Sequence, residues 1–239
     1  MKIALFGYGK MGKEIEKIAQ ARNNEIALIV DDHNSTTYSA KELKKCDVAI
    51  EFSTPETAVS NIYACFDAHV PVVVGTTGWL KKWDEVSESC KKNGHSLFWA
   101  SNFSVGVNLF FKLNETLARL MHSHEEYRVS LEEIHHVHKK DAPSGTGITL
   151  AEGILKNNIR LKKWVNTATD DPALLPILSK RIDEVPGTHS VRYSSDVDYI
   201  EIVHVAHSRK GFAQGAVIAA EWLPGKKGVF GMNDLLNEK

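Results

Sequence analysis

The sequence predicts an α/β protein, with a doubly wound parallel sheet at its N-terminal end and a second domain of α+β character after it. Three observations predict this. In the first half, short β-rich apolar runs alternate with segments of helical spacing. Those runs are apolar almost throughout, as strands covered on both faces are. In the second half, strands follow one another without intervening helices, which suits an antiparallel or mixed sheet.

Lys2–Phe6 reads as the first strand, followed by a glycine-rich turn over Gly7–Gly12. Met11, Ile15, Ile18 and Ala19 then recur at helical spacing as far as Arg22. Glu25–Asp32 is a second strand and Asp47–Ser53 a third; Pro55 opens the next helix, where its fixed φ is tolerated. Val70–Gly75 is a fourth strand, Leu80–Asn93 a helix with Leu80, Trp83 and Val86 on one side, and Ser96–Ala100 a fifth strand. Beyond it, Val105–His122 is a long amphipathic helix, Tyr127–His136 a strand, and Ser144–Ile159 a helix with a polar N-terminal loop. Ser190–Ser194 and Tyr199–Ala206 read as strands joined by the turn Ser195–Asp198. Ala213–Leu223 and Gly225–Lys239 read as helix and loop. We therefore expect domains at 1–103 and 104–212, with 213–239 returning to pack on the first.

Composition narrows the function classes. Lys+Arg total 29 against 30 Asp+Glu, a net charge of −1, which gives no basis for binding nucleic acid or anionic lipid. Hydrophobic residues at 43% and charged residues at 25% are those of a globular chain. Cys46, Cys65 and Cys90 are scattered, form no CxxC, and suit small buried positions in a reducing compartment. The apolar run at Met1–Gly7 is too short for a signal peptide and is cut off by Lys10. No stretch reaches the roughly 18 apolar residues of a membrane span. A cytoplasmic location is expected.

Gly7-x-Gly9-x-x-Gly12 ends a strand and opens a helix, with Lys10 and Met11 between its last two glycines. Gly7 permits a tight turn, Gly9 lets the backbone approach a pyrophosphate, and Gly12 lets helix and strand pack closely. The helix N-terminus offers N–H donors and a positive dipole end to phosphates. With Asp31 roughly 20 residues further on, at the end of the second strand, the pattern reads as a Rossmann-like dinucleotide site. Asp31 suits a ribose 2′-OH and repels a 2′-phosphate, and Asp32 and His33 add no firm positive charge, so NADH is expected over NADPH. The bland alternatives are a glycine-rich surface turn and a solvated loop acid. Phe52-Ser53-Thr54-Pro55, Gly75-Thr76-Thr77-Gly78 and Ser101-Asn102-Phe103 follow the next strands, where ligands of open parallel sheets bind, although turn chemistry explains such residues too.

The densest chemistry lies in Glu133-Ile-His135-His136-Val-His138-Lys139-Lys140-Asp141-Ala-Pro-Ser144-Gly145-Thr146-Gly147. His135 and Lys139 flank a strand end and can exchange protons. Ser144, Gly145 and Thr146 enter a helix and offer hydroxyl and N–H groups to a carboxylate. Metal binding by His122, His124, His135, His136 and His138 has no HExxH and no ordered carboxylate partner behind it, so no metal is expected. Ser144 lacks the GxSxG elbow of a hydrolase. A solvated loop explains Lys140 but not Pro-Ser-Gly-Thr-Gly. His204, Arg209 and Gly187-Thr188-His189 are of ambiguous kind, either ligand-facing or structural.

The run Glu133–Thr146 resembles the E-x-H-H-x-x-K-x-D-A-P-S-G-T signature of the dihydrodipicolinate (4-hydroxy-tetrahydrodipicolinate) reductase family. The resemblance extends to Gly7–Gly12, Phe52–Pro55, Gly75–Gly78, Ser101–Asn108 and Arg209–Phe212. It implies a lysine-pathway (diaminopimelate) enzyme with an N-terminal dinucleotide domain and a C-terminal substrate and tetramerisation domain. Such an enzyme reduces a cyclic imine dicarboxylate with NADH or NADPH and loses the 4-hydroxyl as water. It further implies His135 as general acid, Lys139 as cationic proton donor, and His136, Lys139, Ser144, Gly145 and Thr146 as substrate ligands. By the same resemblance, Gly7, Gly9, Lys10, Met11, Gly12, Asp31, Phe52, Ser53, Gly75, Thr76, Thr77, Ser101, Asn102 and Phe103 would hold the cofactor. The chain departs from the family at Glu51, often Asp, at Gly147, often Ala, and after Asp31, where Arg or Lys often stands. The rival readings are an oxidoreductase of the same architecture acting on another small carboxylate, and a nucleotide sensor without turnover.

Overall fold

The structure is a computed structural model that describes residues 1–31, 33–34, 37–208 and 210–237. It divides into two compact units, Met1–Val105 with Lys210–Lys239, and Gly106–Arg209. The first unit begins with β1 (Lys2–Phe6), α1 (Lys10–Ala21), β2 (Glu25–Val30), α2 (Ala40–Leu43), β3 (Val48–Glu51) and α3 (Pro55–Asp67). It continues with β4 (Val72–Val74), a 3-10 turn at Leu80–Lys82, α4 (Trp83–Lys92) and β5 (Ser96–Trp99). Next come α5 (Val105–Met121), β6 (Arg128–His135), α6 (Gly145–Asn157), β7 (Lys163–Val165), β8 (Leu174–Arg181), β9 (Gly187–Ser194) and β10 (Tyr199–Ala206). The chain then rejoins the first unit with α7 (Lys210–Trp222), β11 (Gly228–Phe230) and α8 (Met232–Asn237).

The first sheet has six strands in the order β11-β5-β4-β3-β1-β2, every pair parallel. Its strands read as unbroken apolar runs because both faces are covered. Ala4, Phe6, Val72 and Val74 join one buried cluster with Ile62, Phe66 and Val86. Ile3, Leu5, Val48 and Val73 join the other with Ile15, Ala216 and Val217. The helix α7 lies close against this core: a Cβ at Gly215 would sit 1.7 Å from the Phe103 carbonyl. The strand order reverses at β1, which has β2 on one side and β3 on the other, and ligand crevices of open sheets lie at that point.

The second sheet runs β10-β9-β6-β8-β7, with β9 antiparallel to both β10 and β6, and β8 parallel to both β6 and β7. In β6 the alternating residues Val129, Leu131, Glu133 and His135 are all buried. The same holds in β9 for Gly187, His189, Val191 and Tyr193. The apolar half of that face packs with Phe110, Leu150, Ile154, Leu175 and Ile177. The opposite half is polar.

The strands of the parallel sheet end earlier than their apolar runs suggest: β2 stops at Val30, leaving Asp31 just beyond it. Three strands have no counterpart in the sequence reading. Pro176 obscured β8, although Leu175 and Ile177 alternate as a half-buried strand should. The other two, β7 and β11, are only three residues long. Gly187-Thr188-His189, read as a loop, opens β9.

Candidate functional site

In the first unit, the loops at the carboxyl ends of β1, β3 and β4 meet around Phe52. Gly7 has φ +91°, and a Cβ there would lie 2.2 Å from the Phe52 carbonyl oxygen; one at Gly12 would lie 2.3 Å from that of Gly7. Gly75 gives way to the Phe52 ring, 2.1 Å from its ideal Cβ. A Cβ at Gly9 would meet nothing within 4 Å, and Gly9 caps α1 without any side-chain hydrogen bond. The first turn of α1 therefore presents its N–H groups beside an open cradle, which fits a pyrophosphate. Lys10 is exposed there and Met11 half-buried.

Around the cradle, the Ser53 N–H donates to Thr76 Oγ1 at 2.9 Å, and Trp79 Nε1 donates to the Thr76 carbonyl at 2.9 Å. The fully buried Glu51 accepts from the Ser53 hydroxyl and from its N–H at 3.1 Å. Burial pushes the Glu51 carboxyl up, against the hydrogen bonds from Ser53, Thr76 and Asn61. Thr77 and Ser101 are exposed, and Asn102 accepts the Ser104 N–H at 2.9 Å. Phe103 is buried against Phe52, with ring centroids 5.6 Å apart. Asp31 accepts the His33 N–H at 2.9 Å and donates its own N–H to Asn34 Oδ1 at 2.8 Å. Asp32 and Arg209 lie outside the described residues.

In the second unit, the buried polar patch gathers at the end of β6. Glu133 stands opposite His189 in the β6–β9 register, and His135 opposite Arg181 in the β6–β8 register. The rings of His135 and His189 meet edge to face, with centroids 5.0 Å apart at 74°. Burial lowers the His135 imidazole below its ordinary value; Glu133 opposes the shift and Lys139 and Arg181 reinforce it. Burial likewise lowers His189 to about 4. Lys139 is held by both carboxylate oxygens of Asp141 at 2.8 Å, and it lowers that carboxyl in turn. Arg181 steadies the same segment by donating to the carbonyls of Lys139 (3.2 Å) and Asp141 (2.6 Å).

Ser144 turns inward. Its N–H donates to Glu133 at 2.9 Å, its hydroxyl donates to the same carboxylate, and its oxygen accepts the Gly147 N–H at 3.0 Å. Its hydroxyl thus serves as a helix cap and as a partner for Glu133. The N–H groups of Gly145 and Thr146, in the first turn of α6, have no hydrogen-bond partner among the described residues, and Gly145 is exposed. His136 is half-buried beyond the strand end, while His138 is exposed and pairs with Glu184 at 3.2 Å.

The sequence leaves His189 ambiguous, quotes Glu133 only as part of the signature run and gives Arg181 no role. For Glu133 and His189 the signal was a polar residue on the buried face of an alternating strand. Arg181 was lost with its strand. Donor atoms of Glu133, His135 and His189 lie within 4.8 Å of one another, so a carboxylate does stand beside the histidines. The hydrogen bonds of Ser144 account for the Glu133 carboxylate without a metal.

Comparisons with known proteins agree along the chain. The family model described as the N-terminus of dihydrodipicolinate reductase matches residues 1–103, and that described as its C-terminus matches residues 106–236. A 4-hydroxy-tetrahydrodipicolinate reductase of Christiangramia forsetii is 49% identical over 238 residues, covering 100% of this chain and 98% of that one. One of Neisseria meningitidis is 36% identical over 202 residues, 81% of this chain and 74% of its own. Among solved structures, a dipicolinate-bound dihydrodipicolinate reductase from Paenisporosarcina superposes with a TM-score of 0.79 at 21% identity, covering 98% of each chain. At that identity the likeness speaks for the fold.

Proposed function

This chain belongs to the dihydrodipicolinate reductase family, and on that premise we propose that it carries out the reaction its relatives are named for, the NAD(P)H-dependent reduction of 4-hydroxy-tetrahydrodipicolinate to tetrahydrodipicolinate in lysine (diaminopimelate) biosynthesis. A hydride and a proton enter the ring, and the 4-hydroxyl leaves together with a ring hydrogen as water. The observation that carries the reading is the second unit's polar strand end, where a titratable histidine, a lysine and two open helix N–H groups share one short segment.

The residues divide the work by chemistry. A substrate dianion needs cations and N–H donors, supplied by Lys139, His136, Gly145 and Thr146. The Ser144 side chain contributes from behind, by fixing the first turn of α6 on Glu133. Hydride addition creates an enamine-like anion, and His135 with Lys139 supplies the proton. His135 is the general acid, and the arriving dianion raises the proton affinity that burial has lowered. When bound, the reduced nicotinamide supplies the hydride. Gly7, Gly9, Lys10, Met11 and Gly12 would cradle its pyrophosphate, with Phe52, Ser53, Gly75, Thr76, Thr77, Ser101, Asn102 and Phe103 around it.

NADH is the preferred cofactor in this reading, because the Asp31 carboxylate suits a 2′-OH and repels a 2′-phosphate. The domains are the dinucleotide-binding segment 1–103, rejoined by 213–239, and the substrate and tetramerisation segment 104–212. A homotetramer is supported by β10, an edge strand whose Tyr199, Ile200, Val203 and Val205 are exposed. A cytoplasmic enzyme is in keeping with three buried free cysteines, and no helix among the described residues is long and apolar enough to cross a membrane. The test is a coupled assay in which the preceding synthase condenses pyruvate with aspartate semialdehyde and cofactor oxidation is followed. Synthase-dependent oxidation supports the proposal. Cofactor binding without it moves the reading to another carboxylate substrate.

A further inference from the structure

We propose that His189 is a positioning residue for His135: its Nε2–H is tied to the Ser144–Glu133 pair, and its ring stands edge-on to the His135 imidazole, fixing that ring and walling it from water. The inference rests on the reading of His135 as the proton donor.

The hydrogens of Ser144 carry the argument. A hydroxyl has one donor and two acceptor sites. Its hydrogen goes to Glu133, and the Gly147 N–H fills one acceptor site. The remaining site faces His189 Nε2 at 3.3 Å, so that nitrogen is the donor, and the network assigns His189 as the neutral Nε2–H tautomer. Glu133 Oε2 lies 3.7 Å from the same nitrogen and favours the same orientation. The other ring nitrogen, Nδ1, is then a lone pair with no partner among the described residues, as is the Nδ1 position of His135; the two residues are 4% and 7% exposed.

Strand β9 makes this arrangement possible. Its Gly187 leaves room for the catalytic ring, since a Cβ there would lie 3.3 Å from His135 Nε2, and two residues later the same face supplies His189. Glu133 from β6, Arg181 from β8, Lys139 and Asp141 from the segment after β6, and His204 from β10, opposite His189, are the other titratable or charged groups acting on the two rings. The neutral edge of His189 meets the His135 ring and adds no competing cation.

The test compares His189→Gln, which keeps an N–H donor near the Nε2 position but thins the wall, with His189→Leu, which removes the donor. His135 is titrated in the free protein by NMR of its ring, and kcat/KM is measured against pH. In His189→Gln the His135 midpoint should rise by about half a pH unit or more as water reaches the ring, and the kcat/KM profile should move with it. In His189→Leu, kcat/KM should fall by roughly ten- to a hundredfold while cofactor affinity stays at the wild-type level, and His189→Gln should restore most of that loss. A His135 midpoint and pH profile unchanged in His189→Gln overturn the proposal, even if His189→Leu does not fold. Wild-type protein without turnover would overturn the functional reading instead, and the NMR midpoint would still judge His189.

Discussion

Glu133, fully buried in β6, accepts both the N–H and the hydroxyl of Ser144, the residue that caps α6. The start of α6 is thereby fixed to the strand that carries His135. Ser144→Ala removes a cap and leaves a buried carboxylate short of one donor. It should lower stability by about 2–3 kcal/mol. A reduced urea midpoint at unchanged slope is the measurement, and an unchanged midpoint would refute the pairing.

Lys139 sits in a two-pronged contact with Asp141, in the segment that leads into the first turn of α6. Lys139→Ala should reduce kcat by about a hundredfold or more while leaving the affinity for NADH near wild type. Steady-state kinetics with fluorescence titration of the cofactor separates the two. Full activity in this variant would remove Lys139 from the mechanism.

The three glycines of the first loop differ in what surrounds them, and they should fail differently. Gly12→Ala drives a Cβ against the Gly7 carbonyl, so thermal stability should drop by several degrees. Gly9→Ala meets no protein atom and should melt near wild type, yet weaken cofactor binding by about tenfold or more. Equal cofactor affinity in Gly9→Ala would argue that no phosphate approaches there.

Burial lowers His189 to about 4 in the folded protein, against an ordinary value of 6.5. Between those values the unfolded chain binds the extra proton, so His189 contributes its full share of stability above about pH 6.5 and loses it as pH falls towards 4. The loss is on the order of 3 kcal/mol. Wild-type protein should therefore lose more stability between pH 7.5 and pH 5 than His189→Gln does, as read by urea unfolding at each pH. Parallel losses in the two proteins would contradict the buried neutral ring.

Asp31 follows β2 immediately, on the side of β1 where the glycine loop begins. NADH should be used with a kcat/KM about tenfold or more above NADPH, and Asp31→Ser should narrow that gap mainly by improving NADPH. A wild-type preference for NADPH would show that the carboxylate does not meet the ribose.

The parallel sheet was legible because its strands are buried on both faces, and runs such as Val72–Val74 can hardly be anything else. The segment Glu133–Gly147 stood out because its residue types are rare in combination. What escaped was pairing. His189 gains meaning only from standing opposite Glu133, and Arg181 from a strand whose register brings it beside His135. Neighbours in a sheet are set by register between segments far apart in sequence, which spacing along one segment does not reveal. The inward turn of Ser144 escaped for the same reason, since its partner lies eleven residues back on another element.

The return of α7 to the first unit bears on the order in which the protein is made. Ala213, Ala216, Val217 and Ala220 join Ile15 and Ala19 on one face of a sheet whose first strand begins at Lys2, and Arg22, at the end of α1, donates to Glu221. During synthesis the part of that face that α7 covers, over β3 and β4, stays open while more than a hundred intervening residues emerge, so the nascent chain carries apolar surface beside Val48 and Val73 until α7 arrives. The contiguous second unit has no such wait, because every strand it pairs is made before α7 begins. The first unit is thus begun before the second and joined by α7 only after it.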